Sequence, residues 1–238
     1  MIQAGCTPNT PMPNAFSQAL VIARKDLRTE LRSKEALNAA AAFSLVILLL
    51  FTFAFDPTEA DTRALAGGLI WIVFAFAGVL LLNRSFAREL PNDCLDALLT
   101  APLPGAALFL GKAAASFALL LMVELVALPI FAIFYDVRLL DNAGPLILTA
   151  LLGTWGLTVV GAAFAALTVN IRLRELMLPL LIYPILMPEL LGAMQLTTSL
   201  LTGGTLAGDN LTWLKLMFGF DIIYTALAVA LIDFVLVW

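Results

Sequence analysis

The sequence predicts an all-α integral membrane protein with six transmembrane helices, and three observations carry that expectation. Of 238 residues, 62% are hydrophobic and 13% charged, against roughly 25% charged in a soluble domain, and the mean hydropathy is +1.00. The apolar residues gather into six windows of about twenty, the helix length that crosses about 30 Å of hydrocarbon. Lys and Arg fall mostly on alternate connectors, as positive residues do on the cytoplasmic side of a membrane chain.

The opening MIQAGCTPNTPMPN, residues 1–14, is read as a disordered tail. "AGC" ends like a lipoprotein cleavage site, but no apolar run of about 7 to 15 residues precedes it. Residues 15–35 form an amphipathic interfacial helix in which Phe16, Leu20, Ala23, Leu27 and Leu31 recur at helical spacing, with Arg24, Lys25, Arg28, Arg32 and Lys34 between them. Such a helix lies on an anionic membrane face or packs on a partner. The spans are expected at 36–55, 64–83, 106–134, 145–169, 176–194 and 216–237. Ten basic residues then fall on one side (the five just named, Arg84, Arg88, Lys112, Arg172 and Arg174) and three on the other (Arg63, Arg138 and Lys215). That bias places both termini in the cytoplasm, together with the connector between the second and third spans.

That connector, RSFARELPNDCLDALLTAPLPG, has a helical pattern of its own. Asn92 or Asp93 can cap a helix whose first turn holds Asp96, favourable at the positive end of the helix dipole. Leu95, Leu98 and Leu99 form a short apolar face, and Pro102 and Pro104 stop the helix before the next span. Such a face docks another protein or rests on lipid. Beside it, GAALFLGKA, Gly105 to Ala113, imitates a phosphate loop. It has five residues between its glycines where the motif needs four, and Ala113 stands where Ser or Thr should bind magnesium. ATP, if used, belongs to a separate subunit.

The chain has no histidine, and Cys6 and Cys94 build no framework. Zinc sites, Ser-His-Asp triads and His-ligated haem are excluded within it, and no basic patch suggests nucleic acid. The intramembrane polar candidates are Glu124, Glu189, Asp221 and Asp233, since an acid inside a span is a functional candidate by default. Glu124 lies about 18 Å along its helix from Lys112, well inside the bilayer. Asp221 and Asp233 are about 120° apart around the last span and near its opposite ends. The plain alternative for each is a hydrogen-bonded interhelical contact. Pro129, Pro179, Pro184 and Pro188 are the candidate helix-bending residues, with the fifth span the most interrupted.

LRSKEALNAAAAFSLVILLLFTFAF at the first span, FARELPNDCLDALLTAPLPGAALFLGK before the third, LPLLIYPILMPELLGAM in the fifth and WLKLMFGFDIIYTALAVALIDFVL at the end resemble the CcmB family. The most specific piece is the LxxLLxxPLP pattern of Leu95, Leu98, Leu99, Pro102, Leu103 and Pro104. The chain departs from the family at Asn92 to Asp96, where a glycine-containing run is usual, and at Glu189, where the family tends to be apolar.

The resemblance implies the permease subunit of an ABC-type haem exporter complex of cytochrome c maturation, with an ABC exporter permease-like bundle in the bacterial inner membrane. It implies that Asn92 to Thr100 is a coupling helix seated on a CcmA-like ATPase subunit. It also implies CcmC-like and CcmD-like membrane subunits, a CcmE-like haem chaperone, and a second permease copy or its equivalent. The chain itself would bind no cofactor: ATP sits on the partner, and haem is handled by partner subunits. Two other classes remain open, a half-transporter for a drug or lipid and a non-transporting intramembrane scaffold or enzyme. An enzyme would have only an aspartyl pair, and Asp221 and Asp233 share one helix on different faces.

Overall fold

The computed structural model describes residues 14–55, 60–85, 104–137, 139, 141–168 and 173–236. Among them the chain is entirely helical: α1 (Ala15–Ser33), α2 (Glu35–Ala54), α3 (Ala60–Ser85), α4 (Gly105–Tyr135), α5 (Ala143–Thr168), α6 (Arg174–Leu201) and α7 (Asp209–Leu236). Six of these, α2 to α7, are long and apolar enough to cross a membrane. In hydrocarbon every backbone N–H and C=O must be paired within its own segment, so such stretches become uninterrupted helices.

α3 is the hub. It packs on α2, α4, α5 and α6, and 72% of its apolar window is buried against 17% for α7, the most peripheral span. Lipid competes for apolar side chains, so membrane helices associate where small residues let backbones approach. Gly67 meets the Met194 carbonyl and Thr198 of α6, Gly153 of α5 lies under the Trp71 ring, and Gly161 accepts Leu82. Polar bonds hold the same seam: Trp71 Nε1 donates to Thr197 Oγ1 at 2.9 Å, and the Gly67 N–H to Thr198 Oγ1 at 3.2 Å.

The two last spans outrun their apolar windows. α6 continues through Gln195 to Leu201, and α7 begins at Asp209 rather than near 216, so the expected long connector between them shrinks to residues 202–208. Gly203 (φ 89°) and Gly208 (φ 58°) take the left-handed conformations this tight turn requires. The Asn142 amide donates to the carbonyls of Leu200 (2.9 Å) and Gly204 (3.2 Å), and Asn210 to Ser199 Oγ (2.8 Å) and the Thr205 carbonyl (2.7 Å). Polar side chains thus bind the Leu200 carbonyl at the end of α6 and the turn carbonyls of Gly204 and Thr205. α6 stays one helix through Pro179, Pro184 and Pro188, although each proline deprives the carbonyl four residues earlier of its donor.

α1 packs lengthwise on α4. Its buried residues are Ala19, Ile22 and Glu30, with Asp26 and Leu27 half-buried, while Phe16, Leu20 and Leu31 stay exposed. The packed face is therefore rotated from the apolar line read in the sequence. Helix α1 ends at Lys34 in a left-handed conformation (φ 58°) with its N–H on the Glu30 carbonyl, and the chain passes straight into α2. Glu30 Oε1 accepts from the N–H groups of Ala36 (2.9 Å) and Leu37 (3.0 Å), capping α2 from outside its own sequence.

Candidate functional site

Two polar assemblies interrupt the apolar bundle. The first lies where α1, α3 and α4 meet, at the end of the bundle from which residues 86–103 depart. Lys112 is fully buried, and its Nζ donates to Asp26 Oδ2 of α1 (3.1 Å) and to the carbonyl of Ser85, the last residue of α3 (2.9 Å). Lys25 lies 3.2 Å from Asp26 Oδ1. One residue before Lys112, Gly111 lets α1 approach: a methyl there would stand 2.7 Å from the Ala19 carbonyl and 2.8 Å from Ile22 Cβ. The segment that imitates a phosphate loop is thus a helical clasp, in which the glycine admits a neighbouring helix and the lysine ties three elements together. A cavity of about 230 Å³ adjoins it, lined in part by Asp26, Glu30, Arg84 and Ser116. At its rim Arg84 Nη1 meets Glu35 Oε2 at 2.6 Å.

The second assembly is deep in the bundle. Glu124 of α4 is buried and accepts a 2.5 Å hydrogen bond from Thr154 Oγ1 of α5. Glu189 of α6 and Asp221 of α7, 0% and 5% exposed, converge on Gly156 of α5, where a methyl would meet Asp221 Oδ1 at 2.7 Å and Glu189 Cγ at 2.9 Å. Asp233, paired with Asp221 in the sequence, is exposed near the end of α7. Glu124 thus has the interhelical contact of the plain reading, Asp233 has left the core, and Glu189 with Asp221 forms a cluster drawn from two helices. Among the described residues no group of three or more His, Cys, Asp or Glu could hold a metal.

The Glu124 contact makes a direct prediction. Glu124→Gln keeps an acceptor for Thr154 and should leave stability nearly unchanged. Glu124→Leu should lower it by roughly 0.6 to 2 kcal/mol, the range of interhelical hydrogen bonds in membranes. Thermal unfolding of both variants in micelles separates the two, and equal behaviour would mean that the bond contributes nothing.

Asn92, Asp93, Leu95, Asp96, Leu98, Leu99 and Pro102 lie outside the described residues. Pro104 is described and stands at the N-cap of α4, where its fixed φ and missing N–H suit a helix start. Asp26 and Glu30 escaped the sequence reading because they sit among five basic residues and read as part of a solvated face. A usable signal was Lys112, a lone charge in an apolar run, which required a partner.

A family model described as CcmB protein matches residues 17–234. A heme exporter protein B of Rhodobacter capsulatus is 34% identical over 171 residues, covering 70% of this chain and 76% of the relative. Another from Pseudomonas aeruginosa is 32% identical over 221 residues, covering 92% and 96%, and one from Paracoccus denitrificans is 33% identical over 178 residues, covering 73% and 78%. The family match runs from inside α1 nearly to the end of α7 and so includes both polar assemblies: the chain belongs to the CcmB family.

Proposed function

We propose that the chain is the membrane permease subunit of an ABC transporter complex of cytochrome c maturation in the bacterial inner membrane. It is not catalytic itself, and it couples ATP hydrolysis on a separate, CcmA-like subunit to haem export or to release of the loaded haem chaperone. The observation that carries this reading is the family match over residues 17–234, with relatives named heme exporter protein B across most of their length. The ten-to-three distribution of basic residues supports an orientation with both termini and residues 86–103 in the cytoplasm. In that orientation the Asn92 to Thr100 segment is the coupling helix. The clasp of Lys112 onto Asp26 and Ser85 favours such a role, because it ties α1, α3 and α4 beside the departure of that connection. A push on the segment would then move a braced three-helix frame rather than a loose loop. Haem and ATP are held by partners, among them CcmC-like and CcmD-like membrane subunits, a CcmE-like chaperone and a second permease copy or its equivalent.

The test is Leu98→Asp or Leu99→Asp, which puts a charge on the apolar face that would seat in the ATPase. Membrane insertion should survive, the ATPase subunit should fail to co-purify, and mature c-type cytochromes should be missing from cells. Leu211→Asp, at an exposed position on the opposite end of the bundle, should leave ATPase association intact. Normal ATPase binding and cytochrome maturation with Leu98→Asp would show that the segment only rests on lipid.

A further inference from the structure

The Glu189 and Asp221 carboxyl groups have no counterpart in the proposed coupling role. They come from α6 and α7 and meet at α5, where Gly156 lets both side chains press against the backbone: an added methyl would stand 2.7 Å from Asp221 Oδ1 and 3.1 Å from Glu189 Cδ. All four carboxyl oxygens are buried without a hydrogen-bond partner, and both side chains are more than nine-tenths buried. Glu124 Oε2 and the amide oxygens of Gln18 and Asn83 are also buried without a partner, but among the described residues only at Glu189 and Asp221 are both oxygens of two neighbouring carboxyl groups left so. Glu124 accepts from Thr154, and Lys112 is bound to Asp26 and Ser85.

Among the described side chains none donates to the four oxygens; on α3, which packs on both α5 and α6, Arg84 is bound to Glu35. α5 has no charged residue from Ala143 to Thr168. On α7, Lys215 lies six residues before Asp221, about 9 Å along the axis and about 120° around it, while Tyr224 is stacked on Phe220 and Asp233 is near the helix end. On α6 the nearest other titratable side chain is Tyr183, six residues before Glu189 and in contact with the Phe76 ring. On α4, which packs on both α5 and α7, Glu124 and Lys112 are engaged as described and Tyr135 stacks on Phe131.

Two carboxyl groups placed together in a medium without water need a positive charge between them, since each carboxylate loses its hydration and repels the other. The oxygens are sealed from the exterior, so the charge must be small. A surface groove of about 480 Å³ between α5 and α7, lined by Leu152, Trp155, Phe218, Asp221, Ile222 and Thr225 among others, reaches Asp221 itself while its carboxyl oxygens stay covered. We propose that Glu189 and Asp221, packed together against Gly156, form a binding site for a small monovalent cation, either a proton or a sodium ion. The site lies at the junction of three spans, so occupancy holds α6 and α7 against α5, and emptying it drives the two helices apart.

The experiment uses the full chain in lipid nanodiscs. Its unfolding temperature is recorded in choline chloride with sodium chloride added at fixed pH, and separately from mildly acidic to mildly basic pH without sodium. The comparison chains are Glu189→Gln with Asp221→Asn, and Asp233→Asn as a control at an exposed acid. Ligand at tenfold excess over its Kd should raise the folded-to-unfolded ratio about elevenfold. Wild type and Asp233→Asn should respond and the double variant should not. A response confined to the sodium series identifies the metal ion, and one confined to the pH difference between wild type and double variant identifies the proton. An unresponsive wild type, or an equal response in the double variant, overturns the site. Should the double variant not fold, the infrared carboxyl bands of the wild type supply the readout. Bands unchanged by sodium and by pH overturn the proposal, whereas sodium- or pH-dependent bands that persist in Glu124→Gln support it.

Discussion

Gly67→Ala is expected to open the seam between α3 and α6 and to cost about 3 kcal/mol, the upper end of the usual range for overpacking. The added methyl would stand 2.4 Å from the Met194 carbonyl oxygen, 2.4 Å from Thr198 Oγ1 and 2.7 Å from the Thr198 nitrogen. Two of those three atoms are backbone and cannot swing aside. α3 must therefore move as a helix, and one turn further on the Trp71 indole would lose its 2.9 Å bond to Thr197 and its seat on Gly153. Gly68, the next residue, has nothing within 4 Å of its methyl position. Gly68→Ala should be neutral or stabilising by up to about 1 kcal/mol through helix propensity. The pair differs by one position and one methyl, so thermal unfolding of both in the same detergent isolates the contact. Equal stabilities would mean that the helices are not so closely apposed.

Lys112→Met should cost a similar amount, about 3 kcal/mol, because removing one partner of a buried ion pair strands the other. Asp26 is 18% exposed and keeps Lys25 at 3.2 Å, which holds the loss at the low end of the range. The Ser85 carbonyl loses its donor as well. The local signature should be faster amide exchange and protease cleavage in α1, since the clasp joins that helix to α4. Adding Asp26→Leu should restore much of the stability, as replacing both members of a buried pair with apolar residues often does. A double variant no better than Lys112→Met would assign the loss to packing of the lysine stem. Under the proposed function, Lys112→Met should also weaken cytochrome maturation with residues 92–100 intact, because the frame behind them is loosened.

The spans were legible because crossing a bilayer is a requirement on length and apolarity summed along one segment, and that sum is written in consecutive residues. Their ends were less so. Gln195 to Leu201 and Asp209 to Lys215 are not apolar windows, yet they are helical, since a helix can extend past the hydrocarbon while its turn is closed by Asn142, Asn210, Gly203 and Gly208.

The amino-acid sequence by itself determined a helical membrane chain of six spans preceded by an amphipathic helix, and it carried the family pattern. Which polar residues act together was decided by the tertiary structure. Asp221 and Asp233 lie on one helix and have equal claims in the sequence, but only Asp221 is buried beside Glu189, which comes from another helix and shares its position at Gly156. Asp26 and Glu30 look like solvated residues of a basic helix, and become a buried ion pair and a cap because α4 and α2 bring Lys112 and two free N–H groups to them. The physical reason is the same in each case. Hydropathy is additive along the chain, whereas the fate of a charge depends on the groups opposite it, and those are supplied by helices distant in sequence.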